Sequence, residues 1–483
     1  MISHPVIVVG AGPAGLTAAY QLVKAKKGVL VLEKSAQVGG ISRTEFYKGY
    51  RFDIGGHRFF TKVKEVDELW HEVLGDDFIE VPRLSRIYYG GKFYKYPINI
   101  WDTLSNLGPV ESGRVLLSYM QARIKDPYPQ EESLEHWVVN RFGERLYQKF
   151  FKTYTEKVWG VPCTEIRADW AAQRIKDLSL KRAIMNALFN NSDATTLIDR
   201  FHYPRLGPGM MWERFQQRVD AGGGEVRLNT AVDELHHDGK RITSVTTRSA
   251  EGVVKYAPKY VINSMPITEL VSRLTPTPPD YVLDAAAGLS YRDFLVVSLI
   301  LDREHLFPDN WIYVHSPEVR VGRIQNFKNW SIEMVPDPSK TCVGMEYFCS
   351  IGDDIWERSD EELKELAERE LVHIGLADPG DVIDGTVMRQ RMAYPVYDET
   401  YQRHLNVLRD YLAGFENLWT VGRAGMHRYN NQDHSMLTAM LAVRNILGEE
   451  HDLWNVNVDR SYHEQFEVPK RSRKSRVDVA YAA

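Results

Sequence analysis

The chain opens on Val6-Ile7-Val8-Val9-Gly10-Ala11-Gly12-Pro13-Ala14-Gly15, runs through Leu16, Ala19, Leu22 and Val23, and reaches Val29-Leu30-Val31-Leu32-Glu33-Lys34. Two short apolar runs flank apolar residues at helical spacing, which predicts strand, Gly-rich turn, helix and second strand. Each glycine of Gly10-x-Gly12-x-x-Gly15 has its own task. Gly10 permits the tight turn, Gly12 lets a pyrophosphate approach the backbone, and Gly15 allows close helix–strand packing. Pro13 and Ala14 start the helix, whose free N–H groups and dipole favour an anion. Glu33 lies 18 residues past Gly15, where a ribose hydroxyl would sit. The Gly pattern alone is weak, but strand, turn, helix, strand and acid fall in register, so a bound dinucleotide is expected.

A chain of 483 residues suggests about three structural units. Sixty Lys+Arg against 65 Asp+Glu leave a net charge of −5, which offers nucleic acid no basic field. Three scattered cysteines, Cys163, Cys342 and Cys349, form neither a disulfide framework nor a zinc spacing, so no metal is expected and the cytoplasm is the expected location. No apolar run approaches the roughly 18 residues of a membrane span, and the N-terminus shows no signal-peptide pattern.

Residues 100 to 200 read as mostly helical, with amphipathic stretches such as Trp137 to Phe151. Strand patterns fill 225 to 264, with a two-residue hairpin turn expected at Asp238-Gly239, and return in Phe294–Leu301 and Val343–Phe348. A capping box, Ser359-x-x-Glu362, opens a helix over 359–374, and another helix spans Ser435 to Leu447. The expected fold is α/β: a discontinuous Rossmann-like domain (1–80, 205–265, 405–450), a helical substrate-covering domain (101–204) and an antiparallel-sheet substrate domain (81–100, 266–404). Residues 468–483 form a basic tail, expected to be disordered.

Six residues beyond Glu33 stands Gly39-Gly40-Ile41-Ser42. With Tyr260-Val261-Ile262-Asn263-Ser264-Met265-Pro266 and Leu418-Trp419-Thr420-Val421-Gly422-Arg423-Ala424-Gly425, it resembles the extended FAD signature of the flavoprotein superfamily of amine oxidases and protoporphyrinogen oxidases. The resemblance implies FAD held by Gly10, Gly12, Pro13, Ala14, Gly15, Glu33, Lys34, Gly39, Gly40, Ile41, Ser42, Val232, Gly422, Arg423 and Ser435. The final helix would aim its positive end at the flavin. Asn431 and Gln432 would both cap that helix and touch the cofactor.

Phe52-Asp53-Ile54-Gly55-Gly56-His57, Tyr154-Thr155-Glu156-Lys157-Val158-Trp159-Gly160-Val161-Pro162, Arg323 with Asn329-Trp330-Ser331, and Arg428-Tyr429-Asn430-Asn431-Gln432-Asp433-His434-Ser435 resemble, in order, motifs of the UDP-galactopyranose mutases. That resemblance implies attack of reduced flavin N5 on an anomeric carbon, loss and return of the nucleotide, and interconversion of pyranose and furanose sugars. It further implies a nucleotide-diphosphate sugar as partner, galactofuranose for cell-wall polysaccharide as the family's product, and an external reductant such as NAD(P)H. Arg174, Arg323, Arg423, Tyr394 and Tyr429 would hold the diphosphate, and Gly56 and His57 would meet the flavin. Trp159 would flank the sugar, with Arg83, Asn99, Trp330 and Asn431 at the substrate.

The chain departs from the family at Tyr96-Pro97-Ile98-Asn99, at Thr155 and at Trp330, which stands where a tyrosine reaches the diphosphate. Base and sugar are therefore open. Two other readings compete: an FAD oxidase or desaturase with an apolar channel, and a non-enzymatic flavin scaffold. Convergence of Arg174 and Arg323 on one pocket would favour the mutase.

Overall fold

The computed structural model describes residues 2–96, 98, 100–168 and 199–457. Arg174, Asn99 and the basic tail at 468–483 lie outside the described residues.

The opening strand, Ile2–Val9, lies inside an eight-stranded sheet. It pairs in parallel with Val29–Leu32 on one side and Gly252–Asn263 on the other. Both faces of its second half are buried, as the unbroken apolar run requires of a parallel strand. Period-2 alternation sorts the side chains. Val6 and Val8, with Val29 and Val31, face the helices Pro13–Lys24, Gly209–Ala221 and Gln432–Ile446. Ile7 and Val9, with Leu30 and Leu32, face Ile267–Ser272, Asp280–Ala287 and Tyr401–Leu412. The stretches 267–287 and 401–404, grouped by sequence with the substrate sheet, thus pack on the dinucleotide sheet.

The hairpin Ala231–His237/Ile242–Ser249 closes at Asp238, but through four residues instead of two. Asp238 Oδ1 accepts the backbone N–H groups of Lys240 (2.9 Å) and Arg241 (2.8 Å), which holds the wider turn.

A seven-stranded sheet runs Val382–Pro395, Tyr291–Leu301, Thr341–Cys349, Arg323–Asn326, Trp311–Val314, Ser85–Tyr89, Lys92–Lys95. It is not wholly antiparallel: Trp311–Val314 pairs in parallel with Ser85–Tyr89, which arrives from more than 200 residues upstream. The helix Asp360–His373 covers its outer face, opened by the expected capping box between Ser359 and Glu362.

Helices Ile100–Leu107, Pro109–Lys125, Leu134–Phe142, Glu144–Tyr147 and Thr153–Trp159 form a third layer, interrupted by a π-turn at Gln148–Lys152. The amphipathic stretch Trp137 to Phe151 is not one helix: it breaks at Gly143 (φ +81°), where a Cβ would stand 2.8 Å from the backbone of Ser118 and Tyr119. Lys157 ties this layer to the substrate sheet. Its Nζ donates to the carbonyls of Val314 (3.3 Å), Ser316 (2.7 Å) and Val321 (3.1 Å). Arg200–Pro204, assigned by sequence to the helical unit, instead pairs with Phe78–Pro82 in a separate two-stranded sheet. No helix among the described residues is long and apolar enough to cross a membrane.

Candidate active site

Where the three layers meet lies a cavity of 1180 Å³. One end is the Gly-rich turn. Gly10 adopts φ +95°, and Gly15 sits so tightly under it that a Cβ would fall 1.9 Å from the Gly10 carbonyl oxygen. At Gly12 a Cβ would make only ordinary contacts, the nearest being the Gly40 Cα at 3.8 Å. Glu33, nearly buried, accepts Ala11 N–H on one carboxylate oxygen and Ser35 N–H on the other, both at 2.8 Å. It therefore braces the Gly-rich turn, a second role beside that expected of it, and keeps lone pairs for ribose hydroxyls. Lys34 and Val232 line the same end.

The helix Gln432–Ile446 starts at the cavity wall, with Asn431 as its N-cap. Gly422 (φ +82°) donates its N–H to Thr438 Oγ1 at 3.0 Å, which seats the preceding turn on this helix. Among the described residues, Gln432 Oε1 and His57 Nδ1 are buried polar atoms with no hydrogen-bond partner, both on residues lining the cavity. A long groove with two helix N-termini, a notch at Gly12 and two waiting polar atoms fits a flavin dinucleotide.

The centre of the cavity is cationic and phenolic. Arg323 is partly buried beside the fully buried Glu346, and its Nε donates to Glu346 Oε2 at 2.6 Å; Gln325 donates to the other Glu346 oxygen. Burial raises the Glu346 carboxyl, and Arg323 pulls it back. Burial works against the Arg323 charge, but Glu346 together with the Tyr394, Tyr154 and Tyr313 phenols outweighs it and the guanidinium stays protonated. Arg423 donates through Nε to the Ala393 carbonyl at 2.9 Å, and its guanidinium lies 4.7 Å from the Tyr394 ring and 4.2 Å from the Tyr429 ring. Burial raises the Tyr394 and Tyr154 phenols, so both remain donors at neutral pH. Gly55 (φ +88°) brings the two halves together, since a Cβ there would lie 3.6 Å from Arg323 Nη2 and 3.9 Å from His57 Cε1.

Burial, and then the Arg323 and Arg423 charges, lower the His57 pKa to about 3. His57 is therefore a neutral imidazole. His315, stacked 4.7 Å from the Tyr154 ring, is likewise lowered to about 3 by burial and by Lys157. A histidine neutral in the fold and charged in the unfolded chain leaves stability intact above about pH 6.5 and drains it as pH falls toward its folded pKa. His315→Phe removes this drain. Its melting temperature, compared with wild type at each pH, should gain steadily below pH 6.5, by at most about 1.4 kcal/mol per pH unit. A difference that stays constant from pH 7.5 to 5 contradicts a neutral buried His315.

Most residues singled out from sequence line this one cavity: Gly10, Gly12, Pro13, Ala14, Glu33, Lys34, Gly40, Ile41, Ser42, Gly56, His57 and Val232 on the cofactor side, and Trp159, Arg323, Tyr394, Gly422, Arg423, Tyr429, Asn431, Gln432 and Ser435 toward the centre and the last helix. Gly15 and Gly39 shape its floor without lining it. Arg83 does not line it: the guanidinium stacks 5.6 Å from the Trp311 ring and 5.5 Å from the Tyr96 ring. Trp330 borders the cavity, but its indole N–H donates to the Asn310 carbonyl at 2.9 Å and is not a donor to substrate. Sequence reasoning missed Tyr313, paired with Arg323 across neighbouring strands, and Phe150 on the π-turn. It also missed Arg391, exposed on the cavity wall beside a bulge in Val382–Pro395. The π-turn has no sequence signature here; the bulge follows from Asp293, which accepts Met392 N–H at 2.7 Å.

Among curated proteins, the chain is 27% identical to dTDP-fucopyranose mutase of Escherichia coli over 175 residues, 34% of this chain and 44% of that one. It is 26% identical to 1-hydroxycarotenoid 3,4-desaturase of a Flavobacterium species over 271 residues, 50% of this chain and 53% of that one. The chain thus spans about half the length of the curated relatives it matches. A solved structure of reduced UDP-galactopyranose mutase superposes with a TM-score of 0.82 at 20% identity, over 96% of this chain and 100% of that one, so the two share a fold. The sequence model of flavin-containing amine oxidoreductases matches residues 13–427, and to that family this chain belongs.

Proposed function

We propose that this protein is an FAD-dependent nucleotide-sugar mutase, an isomerase interconverting pyranose and furanose forms of a nucleotide-diphosphate sugar. The observation that carries the reading is the meeting of Arg323, Arg423, Tyr394 and Tyr429 in one cavity, continuous with the dinucleotide groove at His57. Reduced flavin, when bound, supplies a nucleophile for an anomeric carbon and is regenerated without net redox change.

The chain's own residues do the rest. Arg323 is held through Nε by Glu346, so its outer N–H edge is left to face a diphosphate whose charge grows as the glycosidic bond breaks. Arg423, fixed against two tyrosine rings and a carbonyl, adds a second guanidinium without needing to reorganise. The Tyr394 phenol donates and stays neutral. Neutral His57 can give or take one hydrogen bond beside the flavin without adding a cation that would compete for the diphosphate. The aromatic wall of Phe150, Tyr154, Tyr313 and Trp159 excludes water and offers flat faces to the base or sugar. Arg174 and Asn99 are proposed to complete the substrate contacts. An apolar polyene or porphyrin would offer no anion to Arg423 or to the outer N–H edge of Arg323, which disfavours the oxidase reading.

The test is a chemical trap. Dithionite-reduced enzyme is incubated without oxygen with UDP-, dTDP- and GDP-sugars and cyanoborohydride, and the extracted cofactor is weighed. A mass gain of one sugar, seen only with reduced enzyme, is the expected result and names the substrate. Unmodified FAD from every nucleotide sugar would sink the mutase reading and favour the oxidase one.

A further inference from the structure

The strand Val382–Pro395 falls out of step with its neighbour where it reaches the cavity. Arg292 faces Tyr394 and Phe294 faces Gln390, so Asp293 alone stands opposite three residues, Arg391, Met392 and Ala393. Val382–Pro395 is the outermost strand of its sheet, where a bulge re-aims residues without breaking a second ladder. The conformation is a strained one. Met392 takes φ +53°, which a residue with a Cβ rarely adopts, and the extra residues lose their ladder partners. Asp293 supplies what the ladder does not. It is 6% exposed; its Oδ1 accepts Met392 N–H at 2.7 Å and its Oδ2 accepts Ile351 N–H at 2.9 Å. One carboxylate thus fastens the bulge to the middle strand and to the turn after Thr341–Cys349.

The bulge is also the seat of Arg423. Ala393, next to Met392, accepts Arg423 Nε at 2.9 Å, and the Tyr394 ring lies 4.7 Å from the same guanidinium. The other carbonyl near Arg423, that of Asn430, is 3.5 Å away, so Ala393 is the firmer anchor. Three residues cannot face one in an even ladder, so straightening the bulge has to move Ala393. We propose that Asp293 is a positioning residue for the anion site: it holds the 391–393 bulge, fixes the Ala393 carbonyl, and through it aims the remaining N–H edge of Arg423. Asp293 is not among the described residues that line the cavity, so it acts without touching substrate. The inference rests on the diphosphate reading of Arg423. A guanidinium recognises a diphosphate through a planar fork, and a displacement of about 1 Å is enough to spoil that match.

Calorimetric titration of the flavin-loaded protein with inorganic pyrophosphate tests this, since the probe carries the diphosphate and nothing else. Wild type should bind, and Asp293→Ala should bind about 10-fold more weakly, the size of one charge-assisted contact. Asp293→Asn keeps one acceptor oxygen, so it should fold, hold its flavin and fall between the two. Arg423→Ala should lose at least as much as Asp293→Ala. The double variant should lose no more than Arg423→Ala alone, because Asp293 acts only through Arg423. Val297→Ala, in the same strand but packed under the helix Asp360–His373, should lower the melting temperature and leave pyrophosphate affinity unchanged. Wild-type affinity in either Asp293 variant, or losses that multiply in the double variant, overturns the inference alone. Wild-type protein that does not bind pyrophosphate overturns it together with the diphosphate reading. The expected pattern without a flavin–sugar adduct in the chemical trap sinks the mutase reading and leaves the role of Asp293 standing.

Discussion

On the proposed mutase reading, Arg323→Ala lowers kcat/KM for the nucleotide sugar by about 100-fold or more, because one substitution removes two things. The first is a charge-assisted contact to the leaving diphosphate, worth roughly 1.5–3 kcal/mol, or about 10- to 100-fold. The second is the counter-charge of Glu346, a fully buried carboxylate whose remaining partner is Gln325. Breaking a buried pair from one side costs about 3–5 kcal/mol when the survivor stays charged. Glu346 can escape by taking a proton, since burial already raises its pKa. It would then donate a hydrogen bond into a site built for an anion. The loss should appear in kcat as well as KM, because the guanidinium matters most when the diphosphate carries its full charge. Arg323→Lys separates the two effects. It keeps a cation near Glu346 but loses the planar fork, so stability should recover while catalysis stays about tenfold down. Melting curves beside steady-state kinetics check both, and unchanged turnover in Arg323→Ala would remove the diphosphate assignment.

This pair also shows what a sequence can and cannot reveal. Arg323 and Glu346 sit opposite each other on neighbouring antiparallel strands. No local pattern around Val343–Phe348 says that its single acid faces an arginine 23 residues upstream. Register between strands is a property of packing, and the same gap hid Tyr313. The dinucleotide unit was legible because its signals are local: an unbroken apolar run in Val6–Val9, glycines where a Cβ would collide, and an acid at the end of Val29–Leu32. Helix caps at Ser359 and Asn431 were legible for the same reason. Arg83 and Trp330 show the opposite case. Their neighbours in sequence point toward substrate, but cation–π stacking on Trp311 in one case and a backbone carbonyl in the other takes the polar group first. A buried N–H is committed to whichever acceptor the fold supplies, and sequence alone does not list the acceptors.

Gly15→Ala should produce a protein that neither binds flavin nor holds its first helix in place, whereas Gly12→Ala should fold and fail only to bind. At Gly15 the new methyl would lie 1.9 Å from the Gly10 carbonyl oxygen and 3.3 Å from Val8 Cγ1. Neither neighbour is the free end of a flexible side chain. The helix Pro13–Lys24 must lift from the sheet, and with it the packing of Leu16, Ala19 and Tyr20 in the core. Overpacking of this kind costs about 3 kcal/mol, on the order of 5 °C in melting temperature. Gly10 must move as well, so the positive-φ turn that aims the helix at the pyrophosphate is lost. At Gly12 the nearest atom to the methyl is 3.8 Å away, an ordinary contact, and the space it fills is the space a pyrophosphate needs. The apoprotein should melt within about 2 °C of wild-type apoprotein, inside the range of a benign surface change. Flavin absorbance of the purified variants and melting of the flavin-free forms distinguish them. If Gly12→Ala retains a full complement of flavin, the cofactor does not run over this turn, and the groove from Glu33 to His57 has been assigned to the wrong ligand.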